Sequence, residues 1–261
     1  MDLLAEILQK AETLKAVRHF LDSRNFIEVD TAILQTTVVP ELHVHSLPCK
    51  GGFLLPSPEL AMKALLCRCH LEHGSHSIYQ LAHCFRDEAE QDALHFREFL
   101  MLELYGLDYS AVELLGLIDE LLRVLPLSCL KGKELVVLSF AELCWRACGL
   151  EFDAYWRDGL PGMRELYVRA GGNRLQGLPT LNLDDLFHLF LVEFLEPYIA
   201  RELPYCALYP YPDVTPLPAK CLDDIWVDRW ELYLNGAELG NACREENRGE
   251  YLRRYRRRFE L

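Results

Sequence analysis

The chain has no run of about 18 apolar residues free of charge, so it lacks the material of a membrane-spanning helix. It contains no GxxxxGK[ST] string, which excludes a P-loop as the means of cradling phosphates. Ten cysteines are present but none in CxxC spacing: Cys67 and Cys69 are two apart, Cys144 and Cys148 four apart. That pattern excludes a four-ligand zinc knuckle and reads as reduced thiols, because 261 residues can build a core without disulfides. Positive charge is scarce, 27 Lys and Arg against 40 Asp and Glu, and the resulting net charge of −13 disfavours non-specific binding to a nucleic-acid backbone. The basic end, "RRYRRRFEL" at 253–261, reads as a solvated charged helix. Internal repeats and low-complexity linkers are lacking too. The opening "MDLLAEILQKAE" carries acids where a secretory signal carries Lys or Arg, which points to a cytoplasmic protein.

What is present is an alternation of helical and strand periods. Leu14, Val17, Phe20 and Leu21 recur at helical spacing in residues 12–24, and "NFIEVD" after them alternates like a strand. At 57 the triplet "SPE" offers Ser57 as an N-cap and Pro58 as the first helical residue, which places Glu59 in a first turn. "IYQLAHCFR" and "FLMLELY" both alternate and are joined by a long charged connector, the pattern of an antiparallel hairpin. One face would carry Gln80, Ala82, Cys84 and Arg86 with Phe99, Met101, Glu103 and Tyr105. Residues 110–125, 139–149 and the stretch "NLDDLFHLFLVEFLEPYIA" read as helices, the last capped by Asn182 or Asp184. Residues 157–180, with five Gly and two Pro, read as loop.

Asn235-Gly236 signals a two-residue hairpin turn pairing Leu234 with Ala237 and Tyr233 with Glu238. Glu231 then falls on Glu238's face as a diagonal neighbour roughly 7 Å away at Cα. Two carboxylates that close repel unless a cation lies between them. Three antiparallel segments are thus expected to offer one polar face bearing Arg86, Phe99, Glu103, Tyr105, Glu231 and Glu238. Arg suits a phosphate, an aromatic ring a base, and paired carboxylates Mg²⁺, which together are the parts of an ATP site outside the P-loop class. Glu59, Glu103 and Glu245 suit a small substrate bearing ammonium groups.

"FRDE", then "H" and "EFLMLELY", resemble motif 2 of the class II aminoacyl-tRNA synthetases in its lysine-specific form, and "ELYLNGAELGNACRE" resembles the strand pair before motif 3. Within that group the chain is most similar to the elongation factor P lysine ligase family, synthetase paralogues without an anticodon-binding domain. "VRHFLDSRNFIEVDTAIL" (motif 1), "LLPSPELAMK", "LSFAELCWRACGLEFD", "LDDLFHLFLVEFLEP" and "YCALYPYP" follow in the family's order, covering nearly the whole chain.

The resemblance implies an α+β, class II synthetase catalytic fold over 1–261 as a single domain, mainly antiparallel sheet flanked by helices, and a homodimer formed through the motif 1 region. It implies ATP and Mg²⁺ as cofactors and lysine or β-lysine as substrate, activated as an adenylate and passed to a lysine of elongation factor P, with tRNA disfavoured as a partner. By the same resemblance Arg86 grips the α-phosphate, Asp87 and Glu88 face adenine and ribose, His95 approaches the phosphates and Phe99 stacks on adenine. Glu231, with the backbone around Leu232, and Glu238 hold Mg²⁺ and ATP. Ser57 and Glu59 bind the amino-acid end, while Glu103, Tyr105 and Glu245 receive the side-chain ammonium, with Glu238 near the substrate.

Several positions depart from the family's pattern. Ala32 stands at the Pro ending motif 1, "HFREF" replaces "HNPEF", Ala242 replaces a Gly, and "EENR" replaces "ELTD". Motif 3 is expected a few tens of residues beyond Leu261, so the nucleotide site within these residues is expected to be partial. The rival expectation is a synthetase-like module without catalysis that binds a lysine-like ligand or a translation partner.

Overall fold

A computed structural model describes residues 3–37, 44–74, 76–87, 96–173, 181–214, 218–246, 249, 252 and 253. The chain divides into two compact units, residues 1–108 with 123–126, and residues 109–122 with 127–261.

In the first unit the helical spacing of the N-terminal segment forms α1 (Leu3–Ser23), which buries Val17, Phe20 and Leu21. The strand-like stretch behind it yields only the short β1 (Ile27–Glu28), followed by β2 (Leu34–Gln35), β3 (Pro48–Cys49) and β4 (Gly52–Leu54). The last three form a small antiparallel sheet in the order β2-β4-β3. Helix α2 (Glu59–His73) starts directly after Pro58, and Ser57 Oγ accepts from the Glu59 N–H at 3.2 Å, satisfying one donor of the first turn. The expected hairpin is β5 (Ile78–Phe85) and β6 (Glu98–Tyr105), antiparallel from Ile78 opposite Tyr105 to Phe85 opposite Glu98. Because directly opposed residues share a face, Gln80, Ala82 and Cys84 lie with Glu103, Met101 and Phe99, as the alternation requires. β1 adds to β5 in parallel, giving the sheet β1-β5-β6. Gln80 is buried and its amide oxygen accepts from Thr31 Oγ1 at 2.9 Å, so the polar group carries a partner inside.

The second unit runs through α3 (Ala111–Val124), β7 (Val136–Leu138), α4 (Phe140–Cys148), α5 (Phe152–Trp156), α6 (Gly159–Arg169), α7 (Leu183–Phe190), a π-helical turn (Leu191–Leu195) and α8 (Glu196–Glu202). It closes with β8 (Tyr205–Leu208), β9 (Tyr211–Pro212), β10 (Trp226–Val227), β11 (Arg229–Leu234) and β12 (Ala237–Cys243). Its main sheet has the order β12-β11-β8-β7, with antiparallel pairing except β7 beside β8. The core against it is aromatic: the Phe140 ring lies 4.8 Å from Phe152, 5.0 Å from Phe187 and 5.6 Å from Tyr211. Asn182 caps α7 in a reciprocal capping box with Asp185.

Helix α6 corrects the reading of 157–180 as loop over Gly159–Arg169, while residues 174–180 of that stretch lie outside the described residues. Pro161 falls in its first turn, where no N–H is missed, and Met163, Leu166 and Tyr167 recur at helical spacing and are fully buried. Gly162 marks a close approach, since a Cβ there would sit 1.9 Å from the Tyr155 carbonyl oxygen. Pro161 and Gly162 therefore reflect helix start and close packing rather than irregularity.

The Asn235-Gly236 turn forms as expected, with φ of 52° and 84°. Tyr233 opposes Glu238 and Leu234 opposes Ala237, but a β-bulge follows: Leu239 is extra, and Leu232 pairs with Gly240 and Glu231 with Asn241. Replacing Gly236 by Ala should cost about 2 kcal/mol in urea unfolding, because the positive φ is strained for Ala and the new Cβ would lie 2.6 Å from Ala200 Cβ.

Candidate functional site

The residues expected on one polar face come from two sheets, β5 and β6 in the first unit and β11 and β12 in the second.

On the β5-β6 face, Arg86 follows the last residue of β5. Its backbone N–H donates to the Arg97 carbonyl at 3.0 Å, its Nε to the Pro56 carbonyl at 3.3 Å, and its guanidinium carbon lies 5.2 Å from the Phe99 ring centre. The aromatic platform expected for adenine thus carries the chain's own cation. Asp87 is paired with Arg97, the residue standing where the family has Pro. Glu88 and His95 lie outside the described residues.

Further along β6, Glu103 and Tyr105 are half-buried on the same face. Glu59 accepts from Lys63 Nζ at 2.6 Å, and that ammonium lies 5.9 Å from the Tyr105 ring centre. Lys63 was missed by sequence reasoning, although its spacing of four from Glu59 on a helix is the signal for such a pair. Between the two ends lies Cys84, fully buried, its thiol pushed up to about 11 by burial, with Arg86 opposing the shift and Glu103 adding to it. Arg86 and Glu103 therefore both act on one sulfur from the same face. A cleft of about 330 Å³ lined by Glu6, Gln9, Lys10, Thr13, Leu14 and Leu100 holds none of the expected site residues. Leu100 alternates with Phe99, so the cleft is on the other face.

On the β11-β12 hairpin the two expected metal ligands have different surroundings. Glu238 is exposed, and its Oε1 accepts from Asn241 Nδ2 at 3.0 Å, a contact made possible by the bulge that turns Asn241 onto Glu238's face. Glu231 is 5% exposed, its Oε1 2.6 Å from Arg229 Nη2 and its Oε2 accepting from the Tyr233 hydroxyl at 2.8 Å. The carboxylate expected to meet a cation from outside already meets one from the chain. Leu232 is buried in a central strand between Gly240 and Ala207, so its backbone stands within the sheet ladder. Glu245 is exposed and bridges Ala219. Among the described residues no group of three His, Cys, Asp or Glu is placed to hold a metal, and none of the ten cysteines is in a disulfide. No described helix is long and apolar enough to cross a membrane.

Glu196, at the start of α8, was not singled out by sequence reasoning. Burial first, and Glu238 second, raise its carboxyl above the usual value, with His188 opposing. A raised carboxylate favours the folded state only while protonated, so Glu196 costs stability at pH 7 and the cost fades as pH falls through its raised pKa toward the ordinary glutamate range. Glu196→Gln should raise the melting temperature at pH 7 by on the order of 2 °C, and thermal melts below about pH 4 should show no gain.

Residues 2–260 match the tRNA synthetases class II (D, K and N). The chain belongs to that family, and its α+β fold is the class II catalytic fold. It is 31% identical to the elongation factor P--(R)-beta-lysine ligase of Vibrio cholerae, over 97% of this chain and 78% of the relative. The ligases of the same name from Erwinia tasmaniensis and Photobacterium profundum are 30% and 29% identical, covering 98% and 95% of this chain and 77% and 76% of their own. The family resemblance carried by motifs 1 and 2 and the β11-β12 segment is borne out.

Proposed function

We propose that the chain activates lysine or (R)-β-lysine with ATP as an aminoacyl-adenylate and transfers the aminoacyl group to a lysine side chain of elongation factor P. The order of side chains along β6 carries this reading. Phe99 and Arg86 form one end, and Glu103 and Tyr105 lie four and six residues on, on the order of 13 and 20 Å along the strand. One face therefore offers a ring and a guanidinium for a nucleotide, then an acid and a phenol for an ammonium, in the sequence an elongated adenylate requires. The names of the relatives support the substrate and acceptor.

In this reading Arg86 binds the α-phosphate and Phe99 the adenine, with Asp87, Glu88 and His95 around the nucleotide. Ser57 and Glu59 hold the amino-acid end, and Glu103, Tyr105 and Glu245 the side-chain ammonium. The substrate carboxylate forms a bond to the α-phosphorus as the bond to pyrophosphate breaks. The neutral ε-amine of the acceptor then attacks the carbonyl, AMP leaves, and a proton passes to solvent. Arg86 contributes by orientation and charge neutralisation, and no protein nucleophile is needed. Glu231 and Glu238 are the residues that would hold Mg²⁺; carboxylates together with nucleotide phosphates and water are an ordinary donor set for that ion, which would neutralise phosphate charge.

Pyrophosphate exchange into ATP tests the reading. Exchange is expected with a lysine-type substrate, and Arg86→Ala should lower it by about a hundredfold or more. Glu103→Gln should raise KM for the amino acid about tenfold while changing kcat less. A folded wild-type chain without exchange would sink the proposal. The rival is a binding module without catalysis, and one observation favours it: Phe99, Asp87 and Glu59 carry partners from Arg86, Arg97 and Lys63. Calorimetric binding of lysine that is indifferent to ATP would decide for that rival.

We also propose a homodimer through α1, supported by the exposure of Leu3, Leu4, Ile7 and Leu8 at 69, 60, 55 and 52%. Sedimentation should give twice the chain mass, and Ile7→Glu should give the monomer; a wild-type monomer at micromolar concentration would overturn this.

A further inference from the structure

We propose that Arg97 is a second phosphate ligand of the nucleotide site, exchanging Asp87 for the β- and γ-phosphates of ATP and for the pyrophosphate that leaves. This deepens the activation reading and rests on it. Position 97 is Pro in the family's pattern, so this guanidinium is a feature of the present chain.

The β5-β6 ladder ends with Phe85 opposite Glu98, and the Arg86 N–H donates to the Arg97 carbonyl at 3.0 Å, which carries the register one pair further. Arg86 and Arg97 therefore stand across the ladder from each other, about 5.5 Å apart at Cα. Like charges directly opposite on a ladder destabilise it, so two arginines in these positions call for anions. Arg86 lies over the Phe99 ring at 5.2 Å and donates from Nε to the Pro56 carbonyl at 3.3 Å, and neither partner carries a negative charge. Arg97 meets Asp87. The next acid, Glu98, falls on the other face by alternation, where it lies 3.3 Å from His83 Nδ1. Among the described residues at this end of the hairpin, two guanidinium charges thus stand with the single carboxylate of Asp87.

The Arg97-Asp87 pair is open to solvent, its side chains 49 and 44% exposed, and a pair in that setting is held weakly. A polyphosphate brings several charges, and the guanidinium fork fits phosphate oxygens bidentately. With Arg86 on the α-phosphate, as the activation reading has it, Arg97 takes the phosphates beyond. As the substrate carboxylate bonds to the α-phosphorus, the bond from that phosphorus to the bridging oxygen breaks, and its electron pair leaves with pyrophosphate. Arg97 stabilises that growing charge with donors already in place. Asp87, released by the exchange, is then open to the nucleotide.

The test is calorimetric binding of ATP, pyrophosphate and AMP to the full chain at fixed Mg²⁺, for wild type, Arg97→Gln, Asp87→Asn and the double variant. Arg97→Gln should weaken ATP and pyrophosphate about tenfold or more and AMP less than about threefold, because AMP carries only the phosphate assigned to Arg86. Asp87→Asn should tighten pyrophosphate about two- to fivefold, the strength of an exposed pair, and the double variant should lose that gain. Pyrophosphate is the probe for Asp87 because it lacks the adenine and ribose that the activation reading sets near that residue. Equal losses for ATP and AMP in Arg97→Gln would overturn the proposal by making Arg97 a support for Arg86 or for the fold. No loss for either would overturn it too, leaving the pair as a clasp on the hairpin. If Arg97→Gln fails to fold, Asp87→Asn decides, and a pyrophosphate affinity that is unchanged or lower rejects the exchange. A folded wild type that binds neither ATP nor pyrophosphate sinks the activation reading and this inference together. A wild type that binds both, with Arg97→Gln unaffected, removes the inference alone.

Discussion

A carboxylate in a protein interior must find a cation or give up its charge, and Glu231 finds Arg229. Much of the second unit's site follows from that pairing. Tyr233 and Tyr211 are drawn to the same carboxylate, and burial followed by Glu231's charge pushes both phenols far above their ordinary range. The rings remain neutral donors at every physiological pH, so the network keeps a single hydrogen-bond pattern. The hairpin carrying Glu238 is anchored on one strand by this network and turned by Asn235-Gly236 at its tip.

The first unit applies the same constraint at lower burial. Arg86 with Phe99, Arg97 with Asp87, and Lys63 with Glu59 are pairs between groups expected to receive a nucleotide and an amino acid and cations of the chain. Only the Arg97-Asp87 pair is exposed, and an exposed pair of that kind is worth about 0 to 1 kcal/mol, whereas Lys63-Glu59 and Arg86-Phe99 are half-buried. The buried Arg229-Glu231 pair is different, because breaking it leaves a charge in the interior.

The legible part of the fold was the part written in periodicity. The β5-β6 register, the faces of Gln80, Cys84, Phe99 and Glu103, the α7 cap at Asn182 and the Asn235-Gly236 turn all follow from period-2 alternation or from residues with one favoured local role. Helix α6 was obscured because Pro161 and Gly162 look like breakers, whereas one sits in a tolerant first turn and the other at a close contact with Tyr155. The motif 2 residues were legible as a family resemblance, and the family match bears out the relationship. Lys63 and Arg229 carried local signals, a spacing of four and a spacing of two, that were passed over because each reads as an ordinary surface charge.

By itself, the sequence determined which side chains share a face, where the chain turns, and which family it joins, since each depends on neighbours a few residues away or on a pattern spread along the chain. Tertiary structure alone decided three things: that the two hairpins lie in separate sheets, that Leu239 bulges and brings Asn241 to Glu238, and that Glu231 is buried while Glu238 is not. The reason is physical. Alternation assigns a residue to a face, but whether that face is packed or open depends on helices and strands distant in sequence, and a buried carboxylate needs a partner that an exposed one does not.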